Sequence, residues 1–285
     1  MSRRGFALIT VLWVTAILSA VVGTSLGAAR TGGETSRNRI VLTRGGWARE
    51  ACLEILFSRH SRAASMRTMD TVDLGRGAWC RAELTDPAAK LDLNLASPDA
   101  LRKVLGNDSL ADALLDWRDP DDLERSLGAE NAWYQTANRR IPRNGPLAAI
   151  EELRSIRGFD SLRVARLGTL LTVEGQRELN LNAAAPELLA TLPGLSPEGV
   201  SLIMARRWAG QPIQGSDQLL ALLSPQSRSA LLQSYQEFTR VALYAPPRLV
   251  AVVEGGVRGA TLLSRASITV VPVAGRLAVI RRRTE

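Results

Sequence analysis

The sequence predicts an α+β chain in which a long N-terminal helix and a helical middle accompany strands of an antiparallel sheet. Three observations predict it. Residues from Phe6 to Ala29 form a run without a charged side chain, two similar segments in the middle each pass from a short strand into a proline-started helix, and the C-terminal stretch alternates valine-rich positions with period two. A chain of 285 residues is long enough to bury a sizeable core as one large domain or two modest ones.

The first element is the longest. From Phe6 to Ala29 a helix would rise about 36 Å, enough to cross a hydrocarbon core of about 30 Å. Arg3 and Arg4 ahead of it hold the amino terminus in the cytoplasm and send the rest to the other side of the membrane. A removable secretory signal has a shorter apolar region, although Gly27, Ala28 and Ala29 before Arg30 resemble a cleavage site. The stretch GTSLG at 23–27 has the G-x-S-x-G spacing of a hydrolase elbow, but no strand precedes it and it lies within the spanning run.

Beyond Gly32 and Gly33, residues Arg37 to about Arg62 place Ile40, Val41, Trp47, Ala51, Ile55 and Leu56 at roughly helical spacing, as in an amphipathic helix. The sole histidine, His60, falls near the end of this helix, where a solvated side chain is expected. One histidine leaves no His-based metal cluster, and any hydrolase triad would have to be built on it. Cys52 and Cys80 are the two cysteines, and a bulk outside the cytoplasm would let them close one disulfide loop of about thirty residues. Whether their Cα atoms lie within bridging distance is not written in the sequence.

Turns and short strands follow in TVDLGRGAWCRAELTDPAAKLDLN, punctuated by Gly75, Gly77 and Pro87. The internal similarity begins at its end. KLDLNLASPDALRKVLG, from Lys90 to Gly106, aligns without gaps to ELNLNAAAPELLATLPG, from Glu178 to Gly194. In each, a strand ends at an asparagine, Asn94 or Asn182, suited to bonding nearby backbone at the turn. A proline then opens the helix, where its missing N–H costs nothing. The second copy continues LPGLSPEGVSLIMARR, which resembles a helix-hairpin-helix module of the kind that grips DNA phosphates. Its hairpin reads Gly194, Leu195, Ser196 and lacks the second glycine of that motif, while the first copy puts Asp108 and Asp112 where phosphate would sit.

Between the copies, Asp116, Asp119, Asp121 and Asp122 crowd together, with Gly128, Glu130 and Asn131 following. Repulsion within such a group is relieved by a cation, and carboxylate with amide oxygens is the donor set of Ca²⁺. The spacing is not that of an EF-hand. A solvated acidic turn shaped by Asp119 and Pro120 is the other reading. From Thr239 onward, VALYA, PRLVAVVEG, TLLSRASITVVPV and RLAVIRRR predict antiparallel strands returning to the sheet begun near Val72, with Arg281, Arg282 and Arg283 on a solvated edge.

A formal charge of +8 would suit a nucleic acid or an anionic membrane. Nearly all of the cations are arginine, with lysine only at Lys90 and Lys103, and they are interspersed with acids. That argues for a composition bias rather than a dedicated polyanion surface.

The glycine abutting the apolar run resembles the type III leader of type IV pilins and pseudopilins, cut by prepilin peptidase. The resemblance implies a leader over 1–5, cleavage after Gly5, a methylated Phe6 and retention of 6–29 as transmembrane and filament-core helix. The usual mature fifth residue is glutamate, and this chain has Thr10. In family assembly models that carboxylate pairs with a neighbour's terminal amine, so a chain without it fits where no subunit precedes it, at the filament tip.

Together with DWRDPDD, GAENAWY and the LNLN-type strands, this resembles the type II secretion minor pseudopilin family known as general secretion pathway protein K. The resemblance implies a pilin-like helix packed on an antiparallel sheet. Residues 30–95 and 235–285 would form that domain around a helical insertion over 96–234, with calcium held near Asp119, Asp121 and Glu130. It further implies a non-enzymatic inner-membrane protein with a periplasmic bulk, a tip complex with other minor pseudopilins, and the major pseudopilin and prepilin peptidase as further partners. The competing reading is a membrane-anchored helix-hairpin-helix DNA-binding protein of the competence type, whose affinity would fall steeply with salt.

Overall fold

In a computed structural model, which describes residues 3–60, 68–273 and 276–284, the apolar N-terminal run continues without a break into α1, Arg3–His60. Its first half exposes Val11, Leu12, Trp13, Val14, Ile17 and Leu18 on every side, as expected of a helix whose apolar surface is meant for lipid or for other helices. By length and composition it can cross a membrane. The second half is one-sided: Gly45, Ala48, Cys52, Leu53 and Leu56 are buried.

This buried stripe differs from the expected one. Ile40 and Trp47 are exposed, and Leu56 alone of the six expected residues is fully buried. The face that packs carries small residues because the helix lies almost backbone to backbone on the sheet. Larger side chains would hold it off.

The sheet contains β1 (Thr68–Gly75), β2 (Ala78–Thr85), β7 (Leu249–Val257), β8 (Leu263–Val273) and β9 (Arg276–Thr284), hydrogen-bonded in the order β1-β2-β7-β8-β9. The β1/β2 and β8/β9 pairs are antiparallel. The β1–β2 turn is built from Gly75, Arg76 and Gly77, all with positive φ, so glycine at two of its three positions removes most of the strain. Period two is visible in burial: Cys80, Ala82 and Leu84 on β2, and Ala266, Ile268 and Val270 on β8, face inward. Arg282 is not simply solvated, because both its terminal nitrogens bond the Glu50 carboxylate of α1 at 2.9 and 3.0 Å.

Two compact units divide the chain, Met1–Leu84 with Ala251–Glu285 and, inserted between them, Thr85–Val250. The insertion is wider than the 96–234 expected. The reason lies in its strands: β3 (Leu91–Asp92) pairs in parallel with β4 (Leu171–Thr172), and β5 (Leu179–Asn180) with β6 (Ala242–Leu243), all inside it.

Each strand pair encloses one copy of the internal repeat. The first holds α2 (Pro98–Leu105), α3 (Asp108–Arg118), α4 (Asn131–Thr136), a 3₁₀ segment at Ile150–Ser155 and α5 (Ser161–Leu167). The second holds α6 (Pro186–Leu189), α7 (Pro197–Trp208), α8 (Ser216–Leu222), α9 (Pro225–Gln233) and α10 (Tyr235–Val241). Ser-Pro pairs start three of these helices. Ser97, Ser196 and Ser224 each accept a bond from the backbone N–H three residues on, and proline fills the next position. Leu101, Leu114, Trp117, Tyr134, Leu181 and Phe238 are fully buried in one continuous core.

Candidate functional site

The two repeat asparagines do the same job. Asn94 Nδ2 donates to the Leu147 carbonyl at 3.0 Å, and the Leu147 N–H donates back to Asn94 Oδ1 at 2.8 Å. Asn182 repeats the pattern on Ile213, at 2.7 and 2.9 Å. Their partners lie 53 and 31 residues downstream, not in the nearby turn, so each asparagine acts as a cross-tie pinning a distant loop to the strand end. The residues two earlier are also equivalent: Asp92 Oδ1 accepts from Asn94 N, and Asn180 Oδ1 from Asn182 N.

The hairpins carry glycine where the chain turns left-handed, Gly106 at φ 60° and Gly194 at φ 68°. Acids occupy the next helix's first turn in both. Glu198 accepts from Ser224 N, Ser224 Oγ and Ser227 Oγ at 3.1, 2.6 and 2.6 Å, and Asp108 opens α3. A phosphate there would meet negative charge.

The acidic cluster is built by α3, the loop after it and the start of α4. Asp116 is fully buried and satisfied: Oδ1 accepts from Arg125 Nη1 at 2.6 Å, and Oδ2 from the N–H groups of Arg125 and Ala129 at 3.2 and 2.8 Å. The chain passes so close above it that a Cβ on Gly128 would stand 1.8 Å from Asp116 Oδ2, which explains the glycine. Arg125 Nη1 also bonds Asp119 Oδ2, at 2.5 Å. Asp121, expected among the ligands, accepts the Leu123 N–H at 2.9 Å in a local turn, and it is exposed. Asp122 Oδ1 accepts from Asn131 Nδ2 and from Asn144 Nδ2, both at 2.8 Å.

Against this well-bonded frame, five oxygens are buried without a hydrogen bond: Asp119 Oδ1, Glu130 Oε1, Glu130 Oε2, Asn131 Oδ1 and Asn144 Oδ1. Glu130 is only 3% exposed. Burial first, and then the charges of Asp116, Asp119 and Asp122, push its carboxyl up to about 7. Among the described residues no group of three or more His, Cys, Asp or Glu side chains that could hold a metal is present, and what the cluster leaves unpartnered is a set of two carboxylates and two amides. All of it is hard oxygen, which fits Ca²⁺ and suits no soft metal. Of this set the sequence pointed to Asp119, Glu130 and Asn131. Asn144, followed by Gly145, reads as a turn, and its positive φ of 50° agrees with that without indicating a ligand.

Cys52 and Cys80 are joined in the structure, with Cα atoms 5.8 Å apart and both side chains fully buried. Gly5, Phe6 and Thr10 lie on α1, and the side chains of Phe6 and Thr10 are outside those described, as is that of His60.

A long N-terminal helix laid on an antiparallel sheet, with a helical insertion between strands two and seven, defines a pilin-like α+β protein. Residues 89–175 match the family model of type II secretion system (T2SS) protein K. Among solved structures, the chain is similar to one in the crystal structure of the GspK-GspI-GspJ complex from the enterotoxigenic Escherichia coli type 2 secretion system. The TM-score is 0.59 at 17% identity, with 85% of this chain and 96% of that chain covered. No curated protein sequence matches the chain.

Proposed function

We propose that this chain is a minor pseudopilin of the type II secretion system that starts or caps the tip of the periplasmic pseudopilus. The observation that carries the proposal is the conjunction of the pilin-like frame with a protein K signature confined to its insertion. A protein of this kind is a structural component, and its chemistry is that of assembly.

The chain is held in the inner membrane by residues 6–29 with Arg3 and Arg4 in the cytoplasm, and its bulk is periplasmic. Prepilin peptidase cuts after Gly5, and Phe6 becomes the methylated first residue. In the filament the same apolar helix packs among the helices of its neighbours, including the major pseudopilin. Thr10 offers no carboxylate to an amine ahead of it, which suits a subunit with none ahead. Exposed Ile40, Leu42 and Trp47 on α1 offer further apolar surface to neighbours.

The acidic cluster of the insertion holds Ca²⁺. The five unpartnered oxygens support this, since a buried carboxylate with neither hydrogen bond nor counter-ion is costly and a divalent cation removes that cost. Asp119, Glu130, Asn131 and Asn144 are the residues that would hold the ion. When bound it supplies charge neutralisation and a cross-link between the loop after α3 and the start of α4.

The DNA-binding alternative is unsupported by the family match, and the hairpin acids argue against it.

Co-purification of the detergent-extracted full chain with the other minor pseudopilins of its secretion system tests the assembly. A stable complex with two of them is expected. Failure to associate with either, or incorporation all along the filament, would overturn the tip assignment.

A further inference from the structure

We infer that Asp122 is the positioning residue of the cation site, orienting the amides of Asn131 and Asn144 so that both oxygens face the ion, with Arg125 holding Asp119 in the same way. This deepens the calcium reading and rests on it.

The inference follows from what each group can donate. An ionised carboxylate only accepts, so an amide bonded to Asp122 Oδ1 must present its NH₂ there. Both Asn131 and Asn144 do so at 2.8 Å, and Asn144 Nδ2 also reaches the Asp121 carbonyl at 3.0 Å. That fixes the direction of each amide oxygen. Both are then buried with nothing to accept from, in a cluster that includes a Glu130 carboxylate only 3% exposed and likewise unpartnered.

Asp119 shows the same division. One of its oxygens, Oδ2, is taken by Arg125, and the other, Oδ1, is buried and unpartnered. Arg125 is itself anchored on fully buried Asp116. Asp116 and Asp122 therefore act through other side chains, and the sequence cluster of four aspartates separates into one ligand, Asp119, two orienting acids and Asp121. The Asp121 side chain is spent on the Leu123 N–H, and its part in the site is its backbone carbonyl. Asn144 arrives from outside the acidic run, so one ion ties three segments of the insertion together.

Calcium binding to the EGTA-stripped, detergent-extracted full chain, measured by equilibrium dialysis with radioactive Ca²⁺, tests this alongside melting with and without the ion. The wild-type chain is expected to bind Ca²⁺ and to melt higher with it. Asn144→Ala and Asp122→Ala should each weaken binding by about 10- to 100-fold, the range for lost ligands and their orienting partners, while Asp121→Ala changes it by no more than about twofold. Asp122→Asn keeps an acceptor oxygen for the two amides and should recover part of the loss, which a role of Asp122 as an anionic ligand of the ion would not predict. Terbium luminescence lifetimes add a direct readout, with about one more bound water expected in Asn144→Ala.

No calcium binding by a wild-type chain that melts cooperatively would overturn the calcium reading itself. Normal wild-type binding that survives Asn144→Ala and Asp122→Ala but is lost in Asp121→Ala would overturn the positioning role alone. Should Asp122→Ala fail to fold, Asn144→Ala and Asp122→Asn decide between these outcomes.

Discussion

Gly45 of α1 and Gly255 of β7 meet backbone to backbone. A Cβ on Gly45 would stand 2.8 Å from the Gly255 carbonyl oxygen, and one on Gly255 would stand 2.3 Å from the Gly45 carbonyl oxygen and 2.4 Å from Arg49 N. Neither neighbour is a flexible side chain that could swing away. Gly255→Ala should therefore destabilise the pilin-like unit by about 1–3 kcal/mol, the usual cost of overpacking, in chemical unfolding of the purified chain. Gly46, one residue along the same helix, meets nothing within 4 Å. Gly46→Ala should be neutral or stabilise by up to about 1 kcal/mol, because alanine suits a helix better than glycine. Equal losses in both variants would contradict the close approach.

The Cys52–Cys80 pair links α1 to β2 across a sequence separation of 28. In the chain-entropy picture a loop of that length stabilises by about 3–4 kcal/mol. Denaturant unfolding with and without a reductant should show a loss of that order, confined to the unit containing α1 and the five-stranded sheet. Free thiols titrating in the protein isolated without reductant would contradict the bridge.

The asparagine cross-ties predict parallel effects in the two repeats. Removing either leaves the N–H and carbonyl of a distant loop residue, Leu147 or Ile213, without their partners. Asn94→Ala and Asn182→Ala should each cost about 1–3 kcal/mol. Asn94→Asp should not rescue, since it cannot donate to the Leu147 carbonyl. Hydrogen exchange at the Leu147 and Ile213 amides would report each loss locally.

Glu130 gives the insertion a pH dependence with a definite sign. Its carboxyl titrates near 7 in the fold against an ordinary 4.5, so the neutral form is the one the fold favours without a cation. That contribution is fully present below about pH 4.5 and is lost as the pH rises through about 7. Melting temperature in EGTA should fall across this window, and Glu130→Gln should flatten the fall. Calcium needs the ionised form, so its affinity should weaken on acidification below pH 7, with a proton released on binding. A melting temperature that is flat across the window in EGTA would contradict the burial of Glu130 among Asp116, Asp119 and Asp122.

Much of this was legible in the chain itself because it is local. The charge-free run, the Ser-Pro helix starts, the repeated strand-to-helix segments and the alternation of Ala266, Ile268 and Val270 each record a preference of a few adjacent residues. What escaped was decided at a distance. The buried face of α1 is set by how near its backbone comes to Gly255, a quantity that favours Gly45 and Ala48 over the larger Ile40 and Trp47 that a hydrophobicity pattern selects. Asn144 joins the acidic cluster through a hydrogen bond to Asp122, 22 residues earlier, and nothing beside it marks the connection. The Glu50–Arg282 pair, 232 residues apart, is invisible for the same reason.

The most direct test of a minor pseudopilin is the amino terminus of the protein extracted from membranes of cells with and without prepilin peptidase, read by intact mass and terminal sequencing. A chain beginning at N-methylated Phe6 in the presence of the peptidase, and retaining residues 1–5 in its absence, is the expected result. A start at Arg30, or an uncut Met1 in both strains, would contradict it, because a chain processed in either way would not be a pseudopilin.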